Sequence, residues 1–216
     1  MKKPLLLCLP LLLAACLPLA GMPPEGPTQA SSSAGTAPDS PDAATAGSGA
    51  TLDLGSADAP LTLLLFTNHA CAYCRDFQET ILPRLRSNYI DKGTLRLRTA
   101  LLPIRKYPAS AVEAAAVFCA GKQGKGREMH DTLLDATEHS EQMTTAAAGV
   151  LRLDGKAFAV CMASPEAAAY AEEQESLAAA FDVTLVPTLI LGNEKRVGLP
   201  TYADLRGWIE NEKAGR

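Results

Sequence analysis

The feature that most constrains this chain is a junction. Leu61–Phe66 reads LTLLLF, and a few residues later Asn68–Cys74 reads NHACAYC. The apolar run, with turn-like Asp58-Ala59-Pro60 before it, predicts a buried strand. From Arg75 to about Asn88, apolar Phe77, Ile81, Leu82 and Leu85 recur at helical spacing, and Pro83 predicts a kink. Cys71 and Cys74 therefore stand where a buried strand gives way to a helix. A pair spaced this way can be a metal clamp, a haem anchor, a structural staple or a redox centre. The choice depends on the compartment.

The chain opens Met1-Lys2-Lys3 and is apolar from Leu5 to Ala15, ending LAAC at Cys16. About eleven apolar residues are too few to cross roughly 30 Å of hydrocarbon, so the segment predicts a secretory signal rather than a span. LAAC resembles the lipobox of bacterial lipoproteins, which implies a signal peptide over 1–15 and lipidation of Cys16. An ordinary secretory signal with an incidental cysteine is the alternative. Residues 16–50 are almost entirely Pro, Ala, Gly, Ser and Thr with a few acids. Such a composition buries too little apolar surface to offset ordering entropy, and predicts a flexible, lipid-anchored linker. An O-glycosylated stalk has the same composition. The expected location is the extracytoplasmic side of a membrane, the periplasm if there are two, and Leu17, which lacks the aspartate of an inner-membrane retention signal, then suggests outer-membrane sorting. Removing Lys2 and Lys3 takes the formal net charge from −4 to −6. No Lys/Arg block points to nucleic acid.

Residues 51–216 suit one domain. Leu95–Leu102 alternates like a strand. Helices are expected over Ala109–Ala120, Glu128–Ala136, Thr144–Leu153, Lys156–Met162 and Pro165–Phe181. Thr184–Leu191 and Lys195–Gly198 return to strand character, and Thr201 with Asp204 predicts the cap of a last helix carrying Leu205, Trp208 and Ile209. This order describes an α/β domain with a helical insertion over about 107–181. Pro187 is anomalous inside an apolar strand.

Four cysteines fall in the domain: Cys71, Cys74, Cys119 and Cys161. An even count in an exported, oxidising setting fits disulfide chemistry. Disulfide exchange needs a thiolate, and a helix N-terminus supplies partial positive charge and unpaired N–H groups to stabilise one. Cys71 is assigned as the attacking sulfur and Cys74, one turn deeper, as the resolving one. Cys119 and Cys161 lie on apolar faces of the insertion, either as buried free thiols or, as compartment and count favour, as a structural disulfide.

The combination resembles the thioredoxin fold of the DsbA-like thiol–disulfide oxidoreductases. The residues that carry the resemblance are Phe66, Cys71-Ala72-Tyr73-Cys74-Arg75 and Val186-Pro187-Thr188, with AAAVFCAGKQGKGREMHDTLL and LDGKAFAVC in the insertion. It covers roughly Leu52 to Ile209. It implies a central mixed sheet flanked by helices, and a cis Pro187 facing the cysteines. It also implies substrate contacts through Val186, Ala72 and Tyr73, and a monomer. An ordinary trans proline on an edge strand is the alternative for Pro187. The chain departs from the family at Leu65, where many members have a buried acid. It departs again at Ala72-Tyr73, where Pro and His are common, which predicts weaker thiolate stabilisation. His69 is expected to be an exposed loop residue, and His130 and His139 carry no assigned role.

A covalent haem needs histidine after the second cysteine, where Arg75 stands. Zinc needs further close ligands that Cys119 and Cys161 do not provide, so no metal site is expected. Copper(I) held by the two thiolates with His69 is the rival from another class. An inert scaffolding lipoprotein is a further one. The leading expectation is a donor of disulfides to exported polypeptides, reoxidised by a membrane partner of the DsbB or vitamin-K-epoxide-reductase type. An envelope reductase runs the same chemistry backwards. No organic cofactor is expected, because the Cys71–Cys74 disulfide itself carries the electrons.

Overall fold

The computed structural model describes residues 52–215. The expectations for the leader, for Cys16 and for the linker lie outside the described residues. Four strands form one sheet in the order β2-β1-β3-β4. β1 (Leu61–Thr67) pairs parallel with β2 (Leu95–Leu101), with Leu61 opposite Leu95 and Leu63 opposite Leu97. On its other side β1 pairs antiparallel with β3 (Thr188–Leu191), which forms a hairpin with β4 (Glu194–Val197). The continuous apolar run of β1 follows from its central place. Leu63 and Leu65 enter one core while Leu64 and Phe66 enter another on the opposite face.

The first core is closed by the helical stretch after the cysteines and by the last helix. α1 (Ala72–Asp76), a π-helical turn (Phe77–Ile81), α2 (Leu82–Leu85) and a second π-helical turn (Arg86–Ile90) follow without a break. Phe77, Ile81 and Leu85 from this stretch meet Leu205, Trp208 and Ile209 of the last helix over Leu189 and Leu191. Pro83 is accommodated in a way the kink expectation did not foresee. The Leu82 N–H bonds back to the Phe77 carbonyl, a widened turn, and the proline then sits in the first turn of α2, where no N–H is required.

The insertion comprises α3 (Ser110–Gly121), α4 (Gly126–Leu134), α5 (Glu141–Val150), α6 (Gly155–Met162) and α7 (Pro165–Ala180). α3 is its axis and touches all four of the others. Ala114, Ala116 and Ala120 are fully buried on it, and such small side chains let neighbouring helices approach closely. A disulfide joins Cys119 of α3 to Cys161 of α6, with S–S 2.02 Å and Cα–Cα 5.7 Å. Side-chain caps begin the later helices: Ser140 for α5, Asp154 for α6 and Ser164, followed by Pro165, for α7. The last helix, α8 (Tyr202–Ala214), starts at Thr201, whose hydroxyl accepts from the Asp204 N–H at 3.1 Å.

One strand is shorter than expected. Thr184–Leu191 is extended only from Thr188, because Pro187 has no N–H for the ladder. The preceding turn is closed by the Thr188 hydroxyl donating to the Leu185 carbonyl at 2.7 Å. Pro187 therefore precedes the strand instead of interrupting it, and the Val186–Pro187 bond is cis.

Candidate redox site

β1 delivers the chain to the site and a short buried loop turns it into α1. The Asn68 side chain shapes this loop, donating to the Leu102 carbonyl at 2.9 Å and accepting from the Ala70 N–H at 3.0 Å. Cys71 is the N-cap of α1, extended at φ −98° and ψ 113°, and its sulfur accepts from the Cys74 N–H at 3.3 Å. Its thiol also faces the Val186 carbonyl at 3.6 Å. Both site cysteines are free thiols.

The two sulfurs differ sharply. Cys71 is 9% exposed and Cys74 only 2%. The Cys74 thiol, donating to Cys71, is the largest influence lowering the Cys71 pKa from an ordinary 9.0 to about 7. The N–H groups of Cys74 and Tyr73 act in the same direction, against burial and the Asp76 charge. That same thiol–thiol bond, followed by burial, pushes Cys74 far up, while the Thr67 hydroxyl and the Asn68 backbone oppose it weakly. One sulfur is thus poised as a thiolate and the other held as a thiol.

The surroundings combine residues the sequence singled out with others it did not. Ala72 is exposed, and Tyr73 and Leu185 project at 64% and 62% exposure on the rim. Val186 packs with Cys71, Cys74 and Leu134 in a small apolar cluster. Leu134 ends α4, so the insertion forms one wall of the site. Arg75 fastens that wall, donating from Nε to the Leu134 carbonyl and from Nη2 to the Ala136 carbonyl at 3.0 Å. Those carbonyls lie at the C-terminal end of a helix, where a guanidinium is favoured.

His69 requires a correction. It is 2% exposed, not a loop residue in water. Its Nε2 lies 3.0 Å from His130 Nδ1, and its Nδ1 lies 3.3 Å from Glu113 Oε2. Both ring nitrogens face groups inside the protein, which leaves none to join the thiolates on copper. Among the described residues no group of three or more His, Cys, Asp or Glu side chains is disposed to hold a metal ion. Sequence reasoning missed Glu113, His130 and His139 as neighbours of this loop. The available signal was an acid inside the Ala-rich helix Ala109–Ala120, where a lone charge calls for a buried partner.

Residues 47–211 match the thioredoxin family. A probable disulfide bond formation protein D of Bacillus cereus is 46% identical over 44 residues, which is 20% of this chain and 20% of that protein. Disulfide bond formation protein D of Bacillus subtilis is 20% identical over 172 residues, 76% of this chain and 77% of that one. The crystal structure of Wolbachia pipientis alpha-DsbA1 shares the fold, with a TM-score of 0.66 at 17% identity over 76% of this chain and 92% of that one. A mixed four-stranded sheet with a cysteine pair at the β1–α1 junction and helices inserted before β3 is what the match over 47–211 spans: the chain belongs to the thioredoxin family.

Proposed function

We infer that this chain is a thiol–disulfide oxidoreductase of the cell envelope that donates the Cys71–Cys74 disulfide to exported polypeptides. The observation that carries this reading is the asymmetry of the two sulfurs. In the oxidised enzyme a substrate thiolate attacks Cys71, the less buried sulfur, and Cys74 leaves. Burial disfavours its thiolate, so Cys74 takes up a proton as it leaves. The substrate's second thiolate then attacks the substrate sulfur of the mixed disulfide and expels Cys71. A pKa of about 7 makes Cys71 the better leaving group. Two substrate thiols lose two protons and two electrons, and the enzyme dithiol gains both. The exposed Ala72 and Tyr73 and the backbone of Val186 border the space where an extended substrate would lie.

The names of the Bacillus relatives support the donor direction. Anchoring through a lipid on Cys16, an extracytoplasmic location and a DsbB-type or vitamin-K-epoxide-reductase-type reoxidase belong to the same proposal. Among the described residues no helix is long and apolar enough to cross a membrane. The test is transfer to a reduced, unfolded secreted protein that carries a single disulfide. Stoichiometric oxidation of that substrate by the oxidised chain is expected, with one Cys71–Cys74 disulfide reduced for each substrate disulfide formed. A chain that only reduces the folded substrate when supplied with reductant would refute the donor role.

A further inference from the structure

All three histidines of the chain gather around one carboxylate. Glu113, on α3, is fully buried. Its Oε1 lies 2.7 Å from Nδ1 of His139, in the α4–α5 loop, and its Oε2 lies 3.3 Å from Nδ1 of His69. His69 reaches His130 of α4 with its other nitrogen at 3.0 Å. The geometry at Oε2 is not that of a hydrogen bond, so this oxygen is buried without a donor.

A carboxylate out of water needs a compensating charge or a proton of its own. The titratable groups facing Glu113 are His69 from the β1–α1 loop and His139 from the α4–α5 loop, with His130 of α4 behind His69. Arg127 of α4 acts on His130, and is itself paired with Asp131 at 3.7 Å and donates to the Leu52 carbonyl. Burial first, then His69 and Arg127, keeps His130 neutral. The side chains placed to balance a charge on Glu113 are therefore His69 and His139. Of the four members His139 alone meets water, at 18% exposure. Two residues of chain keep the His69 Cα within about 7 Å of the Cys71 Cα.

We propose that Glu113, His69, His130 and His139 form a proton-linked clasp that positions the Cys71 loop against the helical insertion, so that Cys71 reactivity follows the charge of the cluster as well as its own titration. The four are positioning residues. With one imidazolium N–H the cluster is neutral, and His139 is the member through which that proton can reach water. Without that proton the cluster carries one negative charge, which disfavours the neighbouring thiolate. The inference rests on Cys71 being the exchanging sulfur, and is independent of the direction of exchange.

The test uses the full chain with Cys119–Cys161 intact and Cys71 and Cys74 reduced. Iodoacetamide alkylation of Cys71 is followed by mass spectrometry from pH 5 to 9, together with the imidazole proton resonances of the three histidines. In the wild type the rate profile should be broader than a one-proton curve, with its second inflection coincident with a histidine titration. Glu113→Gln should collapse it to one proton and lower the Cys71 midpoint by roughly half a unit, as loss of a nearby unit charge requires. His139→Asn, at the solvent edge, should shift the second inflection if the glutamine variant does not fold. A one-proton wild-type profile, or one matched by a folded Glu113→Gln, overturns the clasp while leaving a reactive Cys71. A Cys71 that does not alkylate near neutral pH overturns both the clasp and the redox reading.

Discussion

Replacing Cys74 by alanine removes the donor that does most to hold Cys71 down. A hydrogen bond to a charged group is worth about 1.5–3 kcal/mol. At about 1.36 kcal/mol per unit, its loss moves the Cys71 pKa by roughly one to two units, from about 7 back toward its ordinary 9.0. At pH 6 the thiolate fraction, and with it the iodoacetamide rate, should fall roughly ten- to hundredfold. Cys74→Ser keeps a hydroxyl in the same place and should leave the midpoint within about half a unit of the wild type. The assay is the thiolate absorbance near 240 nm against pH, with alkylation kinetics as a second readout. If Cys74→Ala kept its midpoint near 7, the reasoning would be wrong, and the N–H groups of Cys74 and Tyr73 would be carrying the thiolate instead.

Other consequences can be checked in parallel. Because the folded pKa of Cys71 is depressed, it stabilises the reduced protein fully above about 9, and that stabilisation is lost as pH falls through about 7. The urea-unfolding free energy of the reduced form minus that of the oxidised form should therefore rise by about 1 kcal/mol from pH 6 to 8; a flat or falling difference contradicts the pKa assignment. Removing the Cys119–Cys161 bond with paired alanines frees a loop with a sequence separation of 42 residues. The loss should approach about 4 kcal/mol in chemical denaturation, and a change under about 1 kcal/mol would contradict the loop argument. Arg75→Ala deletes both bonds to the end of α4 and should cost about 2 kcal/mol while loosening hydrogen-exchange protection around Leu134. Unchanged protection there would mean that apolar packing alone holds the wall.

What could be read from the sequence was what is local. Leu61–Phe66 declares a buried strand because a continuous apolar run has no other economical home, and Thr201-x-x-Asp204 declares a helix start because both capping partners are in hand. Cys71 and Cys74 were legible for the same reason, since strand end, cysteine spacing and helix start are contiguous. The missing parts depend on long-range approach. His69 meets His130 across 61 residues, and Glu113 meets His139 across 26. No periodicity encodes such meetings, and a histidine beside a cysteine pair looks exposed until the insertion folds over it. Pro187 looked anomalous only because the strand was begun too early. The widened turn before Pro83 reflects a packing compromise that keeps Phe77, Ile81 and Leu85 on one face of the sheet, and propensity alone does not express it.

The donor role stands or falls with the equilibrium of Cys71–Cys74 against defined glutathione buffers, with Cys119 and Cys161 tracked separately by mass spectrometry. A Cys71 pKa of about 7 stabilises the reduced form less than the thiolate of the strongest oxidants, whose pKa is about 3.5. At pH 7 that difference in ionisation corresponds to about 95 mV, so the potential should fall below their roughly −120 mV to near about −215 mV. A value near about −270 mV, the range of a dedicated reductant, would contradict the donor role outright.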